Sequence, residues 1–176
     1  IVFLSDHGYH LGEHLGAWQK RNLFEESARA PLMIVAPKAA GNGQASKAIV
    51  EFTDIYPTLA DLCGLQAPAT ATGRSLRPLL AAPTKNWKGH AFTQILRPGD
   101  GSPFVGRSVR TDRWRYTEWD GGKQGAELYD HDNDPREFTN LAQDPAQAAN
   151  IAELRTFLDA AIRSTPPATP VTVKRL

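Results

Sequence analysis

The 176-residue chain is short of several things, and each shortage removes a class of protein. It has one cysteine, Cys63, so no internal disulfide can form and the redox compartment stays open. No apolar run approaches the ~20 residues that a membrane-spanning helix needs, so a membrane-embedded protein is not expected. Twenty Lys and Arg against 19 Asp and Glu leave a net charge of +1, which provides no overall field for nucleic acid or an anionic membrane surface. Any anion has to be recognised locally. The single methionine is Met33, and the chain opens directly on Ile1-Val2-Phe3-Leu4 with no charged leader before it, as expected of a piece of something longer. No internal repeat or low-complexity block is present.

What is there is the composition of a loop-rich globular protein: 41% hydrophobic and 22% charged, with 14 Gly and 13 Pro. Residues 1–4 read as a fully buried strand of a parallel sheet that ends in Ser5-Asp6-His7-Gly8, and ligands of such sheets gather beyond the carboxyl ends of strands. A second apolar run, residues 31–36, reads as a neighbouring strand closed by Pro37. Thr53 or Asp54 can cap a helix with Pro57 in its first turn, Ile55, Leu59 and Leu62 on one face and Gly64 as its stop. Residues 66–88 form a Pro- and Ala-rich connector. From His90 the pattern changes to short strands at 91–96, 104–110, 113–119 and 127–129, an antiparallel meander. Asn150 with Glu153 resembles a capping box for a closing helix, whose apolar stripe is Ile151, Leu154, Phe157, Leu158, Ala161 and Ile162. The tail after Ser164 is expected to fray. The expected fold is α/β, with one unit at 1–88 and an antiparallel unit at 89–176.

Asp6 and His7 set a carboxylate beside an imidazole at a strand end, where both can reach one cation, and Gly8 lets the backbone turn away. Equally, Asp6 could cap neighbouring amides and His7 could be structural, and calcium's preference for oxygen fits His7 less well than Asp6. His10-x-x-Glu13-His14 matches the H-x-x-E-H pattern of zinc peptidases, which requires both histidines on one helical face; Gly12 argues against that helix. Asp130-x-Asp132-x-Asp134 imitates a calcium loop, but Pro135 stands at position six and Leu141 at position twelve, leaving a turn. Cys63, at a helix end, reads as a small core residue.

Several segments together carry a resemblance. Ser5-Asp6-His7-Gly8, Leu11-Gly12-Glu13-His14, Trp18-x-Lys20, Phe24-Glu25-Glu26 and Arg29-x-Pro31-Leu32 resemble, in that order, the second metal-binding segment of sulfatases of the alkaline-phosphatase-like superfamily, closest to the iduronate-2-sulfatase group. Asp54-Ile55-Tyr56-Pro57-Thr58 resembles the family's D-x-x-P-T helix. Glu127-Leu128-Tyr129-Asp130, Asp134-Pro135-x-Glu137 and Asn140-Leu141 resemble its closing signature, and Arg107 to Thr111 with Trp114-Arg115-Tyr116 the hairpin before it. The likeness runs over about residues 1–164. It implies the last strands and helices of a larger sulfatase α/β sheet, joined to a small antiparallel subdomain with a closing helix.

By the same resemblance, Asp6 and His7 supply one side of a calcium (Ca2+) site, Lys20 is a catalytic, sulfate-binding residue, and His14 either contacts substrate or is a surface histidine. The implied reaction is hydrolysis of a sulfate ester by a formylglycine made in a C-x-P-x-R segment. No such segment occurs here, so the chain alone is expected to be inactive, its partner being the missing N-terminal half of the same enzyme. The implied substrate is a sulfated sugar or glycan, with choline sulfate or an aryl sulfate as alternatives, and a periplasmic or secreted location is favoured. Two other readings stay open: a zinc metallopeptidase through His10, Glu13 and His14, and a non-catalytic glycan-binding fragment.

Overall fold

The computed structural model describes residues 1–87, 89–99 and 101–164; the expected fraying after Ser164 lies outside the described residues. The chain begins with two short strands, β1 (Val2–Leu4) and β2 (Leu32–Ile34), paired antiparallel with Val2 opposite Ile34 and Leu4 opposite Leu32. This differs from the expected parallel, buried strands. The segment between them folds back on itself and returns β2 along β1, and the ladder keeps an open apolar face, with Phe3 56% and Met33 55% exposed.

The return segment carries a tight turn, α1 (Glu13–Gly16), in which His14 and Leu15 take left-handed backbone angles, and one brief helical turn, α2 (Glu25–Ala28). A 3-10 turn over Phe52–Asp54 leads into α3 (Ile55–Leu62), and Glu51 and Asp54 cap it reciprocally, each side chain taking the other's backbone N–H. Gly64, at φ 70°, ends the helix in the left-handed conformation glycine tolerates best. Cys63 is the C-cap of α3 and is exposed, not a core residue, because the chain leaves the helix there on its open side. A short α4 (Arg77–Ala81) buries Leu79.

Four strands follow, β3 (Ala91–Arg97), β4 (Phe104–Arg110), β5 (Trp114–Trp119) and β6 (Ala126–Asp130), paired antiparallel in that order, which is the expected meander. The period of two divides its side chains between two faces. Val109, Tyr116 and Leu128 stand in one row across β4, β5 and β6 and pack with Leu154 and Leu158 of the closing helix α5 (Ala148–Ser164). Each such buried side chain contributes roughly 1.5–3 kcal/mol. The other face carries Ser108, Arg115 and Thr117, also buried, and lies under the segment around Leu23 and Glu25: a Cβ on Gly106 would meet Trp119 and come within 3.0 Å of Leu23. The sheet thus turns an apolar side to a helix and a polar side to the segment around Leu23 and Glu25. Mixed helices and antiparallel sheets give the α/β class expected.

The start of α5 departs from expectation. Asp144 caps a 3-10 turn at Pro145–Gln147 by accepting from the Ala146 amide at 2.9 Å, and the helix is already under way at Ala148. Asn150 therefore lies inside the first turn and donates to the Gln147 side chain at 2.7 Å, so it is no cap. The Asp130–Asp134 segment is the expected turn: Asp130 takes Arg113 Nε and Nη2 at 2.8 and 2.7 Å.

Candidate functional site

The loop after β1 is held against α2 by backbone contacts. The Gly8 amide donates to the Ser27 carbonyl at 2.9 Å, and a Cβ on Gly8 would lie 1.9 Å from the Glu26 carbonyl oxygen. Glycine is required there for close approach of two backbones, since its φ is not in the left-handed range. Ser5 Oγ donates to the His7 carbonyl at 2.8 Å and closes the turn.

His7 is then oriented by its own neighbours. Its Nδ1 lies 2.6 Å from the Gly8 carbonyl, which can only accept, so Nδ1 carries the proton and Nε2 keeps a lone pair. That lone pair faces Asp6 Oδ1 at 3.6 Å and Lys20 Nζ at 2.5 Å. Asp6, His7 and Lys20, thirteen positions from His7, thus converge at one half-open notch: the Asp6 side chain is 83% exposed and that of His7 32%. The donor set fits a divalent cation. A carboxylate oxygen and an unprotonated imidazole nitrogen at this separation could share one ion, provided that Lys20 leaves the lone pair it now occupies.

His14 lies elsewhere. Its side chain is only 9% exposed, its ring stacks on Phe24 with centroids 3.8 Å apart, and its Nε2 is 3.3 Å from Glu26 Oε2. The ring is packed inward, so His14 is not the surface histidine that stood as the alternative to substrate contact. The zinc-peptidase helix is also absent: Gly12 has φ 115°, His14 φ 51° and Leu15 φ 66°, and Glu13 accepts from the Leu11 amide at 2.6 Å. The positive φ values break the helical face that H-x-x-E-H needs, so His10, Glu13 and His14 cannot serve as its ligands and base.

From α2 a buried ionic network, unforeseen from the sequence, reaches the polar face of the meander. Arg115, 3% exposed, donates Nε to Glu137 at 2.5 Å and Nη2 to Glu25. Glu137, 1% exposed, also receives His131 Nε2 at 2.7 Å and the Glu25 amide at 2.8 Å, and Arg110 Nε lies 3.5 Å from Glu25 Oε2. Burial alone pushes the Glu137 carboxyl up, but the His131 hydrogen bond, the Arg115 charge and the Glu25 amide outweigh it and hold it below the ordinary value. The network ties α2, which the Gly8 loop rests on, to the polar face of the meander. Glu25 and Glu137 both stand in motifs that match the family pattern, which was the available signal; their contact spans 112 residues and no local pattern reveals it.

The family model for the C-terminal region of N-sulphoglucosamine sulphohydrolase matches residues 12–164. Over 163 residues the chain is 34% identical to N-acetylglucosamine-6-O-sulfatase of Bacteroides thetaiotaomicron, covering 90% of this chain and 29% of that protein. Against arylsulfatase K of Bos taurus it is 33% identical over 172 residues, covering 93% and 30%. A protein solved in complex with its substrate D-glucosamine-2-N,6-O-disulfate superposes with a TM-score of 0.80 at 32% identity, covering 93% of this chain and 34% of that one. The chain therefore spans about a third of the length of the relatives it matches. With a match over most of its length and the order of its motifs kept, this chain belongs to the sulfatase family, as a C-terminal region of it.

Proposed function

We propose that this chain is the C-terminal part of a sulfuric ester hydrolase that cleaves a sulfate ester of a sugar. The observation that carries the reading is the convergence of Asp6 Oδ1, His7 Nε2 and Lys20 Nζ at one notch. Relatives named for sulfated sugar substrates support the substrate class. Asp6 and His7 would hold one side of a calcium ion, which supplies Lewis acidity and a template for the sulfate. Lys20, on a flexible exposed stem, would leave the His7 lone pair and neutralise sulfate oxygens as charge moves toward the leaving oxygen. The formylglycine nucleophile and the remaining metal ligands would come from a C-x-P-x-R-bearing segment outside this chain. A periplasmic or secreted location goes with such a substrate; no described helix is long and apolar enough to cross a membrane.

The test is turnover of a glucosamine 6-sulfate by the enzyme from the complete reading frame. Lys20→Ala is expected to lower kcat/KM by about a hundredfold or more, with folding intact. Wild-type turnover in that variant refutes the role of Lys20. A complete reading frame without a C/S-x-P-x-R segment turns the reading to a non-catalytic glycan-binding protein.

A further inference from the structure

We infer that His10, His14 and Glu26 form a second, inner metal site, separate from the Asp6–His7 notch and suited to a borderline transition ion such as Zn2+. One nitrogen from each histidine and one Glu26 oxygen lie within 4.8 Å of one another. His10 Nδ1, His14 Nε2 and Glu26 Oε2 are all buried and all lack a hydrogen-bond partner among the described residues. Three orphaned polar atoms at one point are costly unless something joins them.

The lone pair on His10 is assigned by its other nitrogen. Nε2 lies 2.8 Å from Asn22 Oδ1, and the same Oδ1 accepts from the Phe24 amide at 3.3 Å, which identifies it as the oxygen of the side-chain amide. An amide oxygen only accepts, so His10 carries its proton on Nε2 and turns a bare Nδ1 inward. A ligating histidine held by a hydrogen bond to its far nitrogen is the usual second shell of a zinc site. His14 Nε2 and Glu26 Oε2 are 3.3 Å apart yet do not align as a hydrogen bond, and about that separation is the edge of a tetrahedron with Zn–N and Zn–O bonds of roughly 2.0–2.1 Å. Binding would draw His10 inward by roughly an ångström.

Charge also balances. Glu26 offers one negative charge, and Glu13 Oε2, 4.0 Å from His10 Nδ1, a second. The other histidine-carboxylate trio, Glu25, His131 and Glu137, differs on this point, because Arg115 already fills it. Two imidazoles packed against Phe24 favour zinc, whereas the exposed Asp6 carboxylate favours calcium. The ion would be structural, clamping the loop between His7 and Lys20 onto α2, and it does not depend on the sulfatase reading.

The test is titration of the metal-free protein with Zn2+, with bound metal counted by elemental analysis, and with Co2+ as an optical probe. One Zn2+ per chain, not displaced by excess Ca2+, and the intense visible bands of tetrahedral Co2+ are expected. Glu26→Gln should weaken binding at least about tenfold, while His7→Ala leaves it in place. No bound zinc, or binding lost in His7→Ala and kept in Glu26→Gln, overturns the site. Hyperfine-shifted signals in the wild-type Co2+ protein give an answer free of any variant: two imidazoles support the site, and one or none refutes it.

Discussion

Replacing Glu137 by alanine should be among the most damaging single changes in this chain. The carboxylate is enclosed and accepts from Arg115 Nε, His131 Nε2 and the Glu25 amide. Removing it leaves Arg115 buried with Glu25 as its remaining carboxylate and leaves a buried amide unpaired. Breaking one side of a buried ion pair costs about 3–5 kcal/mol, and the surviving Glu25 contact argues for the lower end, about 3. Against a total stability of roughly 5–15 kcal/mol this is a large share. The backbone does not confuse the comparison: Glu137 sits at φ 57°, and alanine bears the same left-handed cost. Urea unfolding followed by circular dichroism should show the midpoint falling by about 1.5 M, for a slope near 2 kcal/mol/M. A loss under about 1 kcal/mol would refute the reasoning, since the network would then be ornamental. Acid gives an independent check. The Glu137 carboxyl titrates below its ordinary 4.5 in the folded state, so its stabilisation is full above that value and fades as pH falls through the folded one. Glu137→Gln should flatten the fall in stability below pH 4.5 relative to wild type.

Two further outcomes follow from the site and its surroundings. Gly8→Ala forces a methyl to within 1.9 Å of the Glu26 carbonyl and should cost about 2 kcal/mol by thermal unfolding; an unchanged Tm would mean that the loop does not rest on α2. Cys63, exposed at the end of α3, should react with an aromatic disulfide reagent at one thiol per chain in the native protein, and a requirement for denaturant would return it to the core.

Much of this chain was legible before any coordinates. The meander, the helix with its Gly64 stop and the apolar stripe of α5 follow from periods of 2.0 and 3.6 and from turn chemistry, which near neighbours determine. The Ser5-Asp6-His7-Gly8 segment stood out because a carboxylate beside an imidazole at a strand end carries chemistry, whereas Lys20 stood out only through the family resemblance. The direction of β1 against β2 was not legible: an apolar run states that a strand wants cover, not which way its partner runs. Nor was the burial of His14, whose fate turns on Phe24, Phe138 and Glu26 folding around it.

What the amino-acid order determined by itself was the inventory: two-faced strands, an amphipathic closing helix, and a carboxylate, an imidazole and an ammonium within twenty residues of the start. Tertiary structure decided the assembly. It set Lys20 on the His7 lone pair, joined Glu25 to Arg115 and Glu137 across the polar face of the sheet, and turned His10, His14 and Glu26 toward one another. The physical reason is range: local sterics act over a few residues, whereas a buried charge takes whatever opposite charge the fold brings within about 3 Å, however far off in the chain.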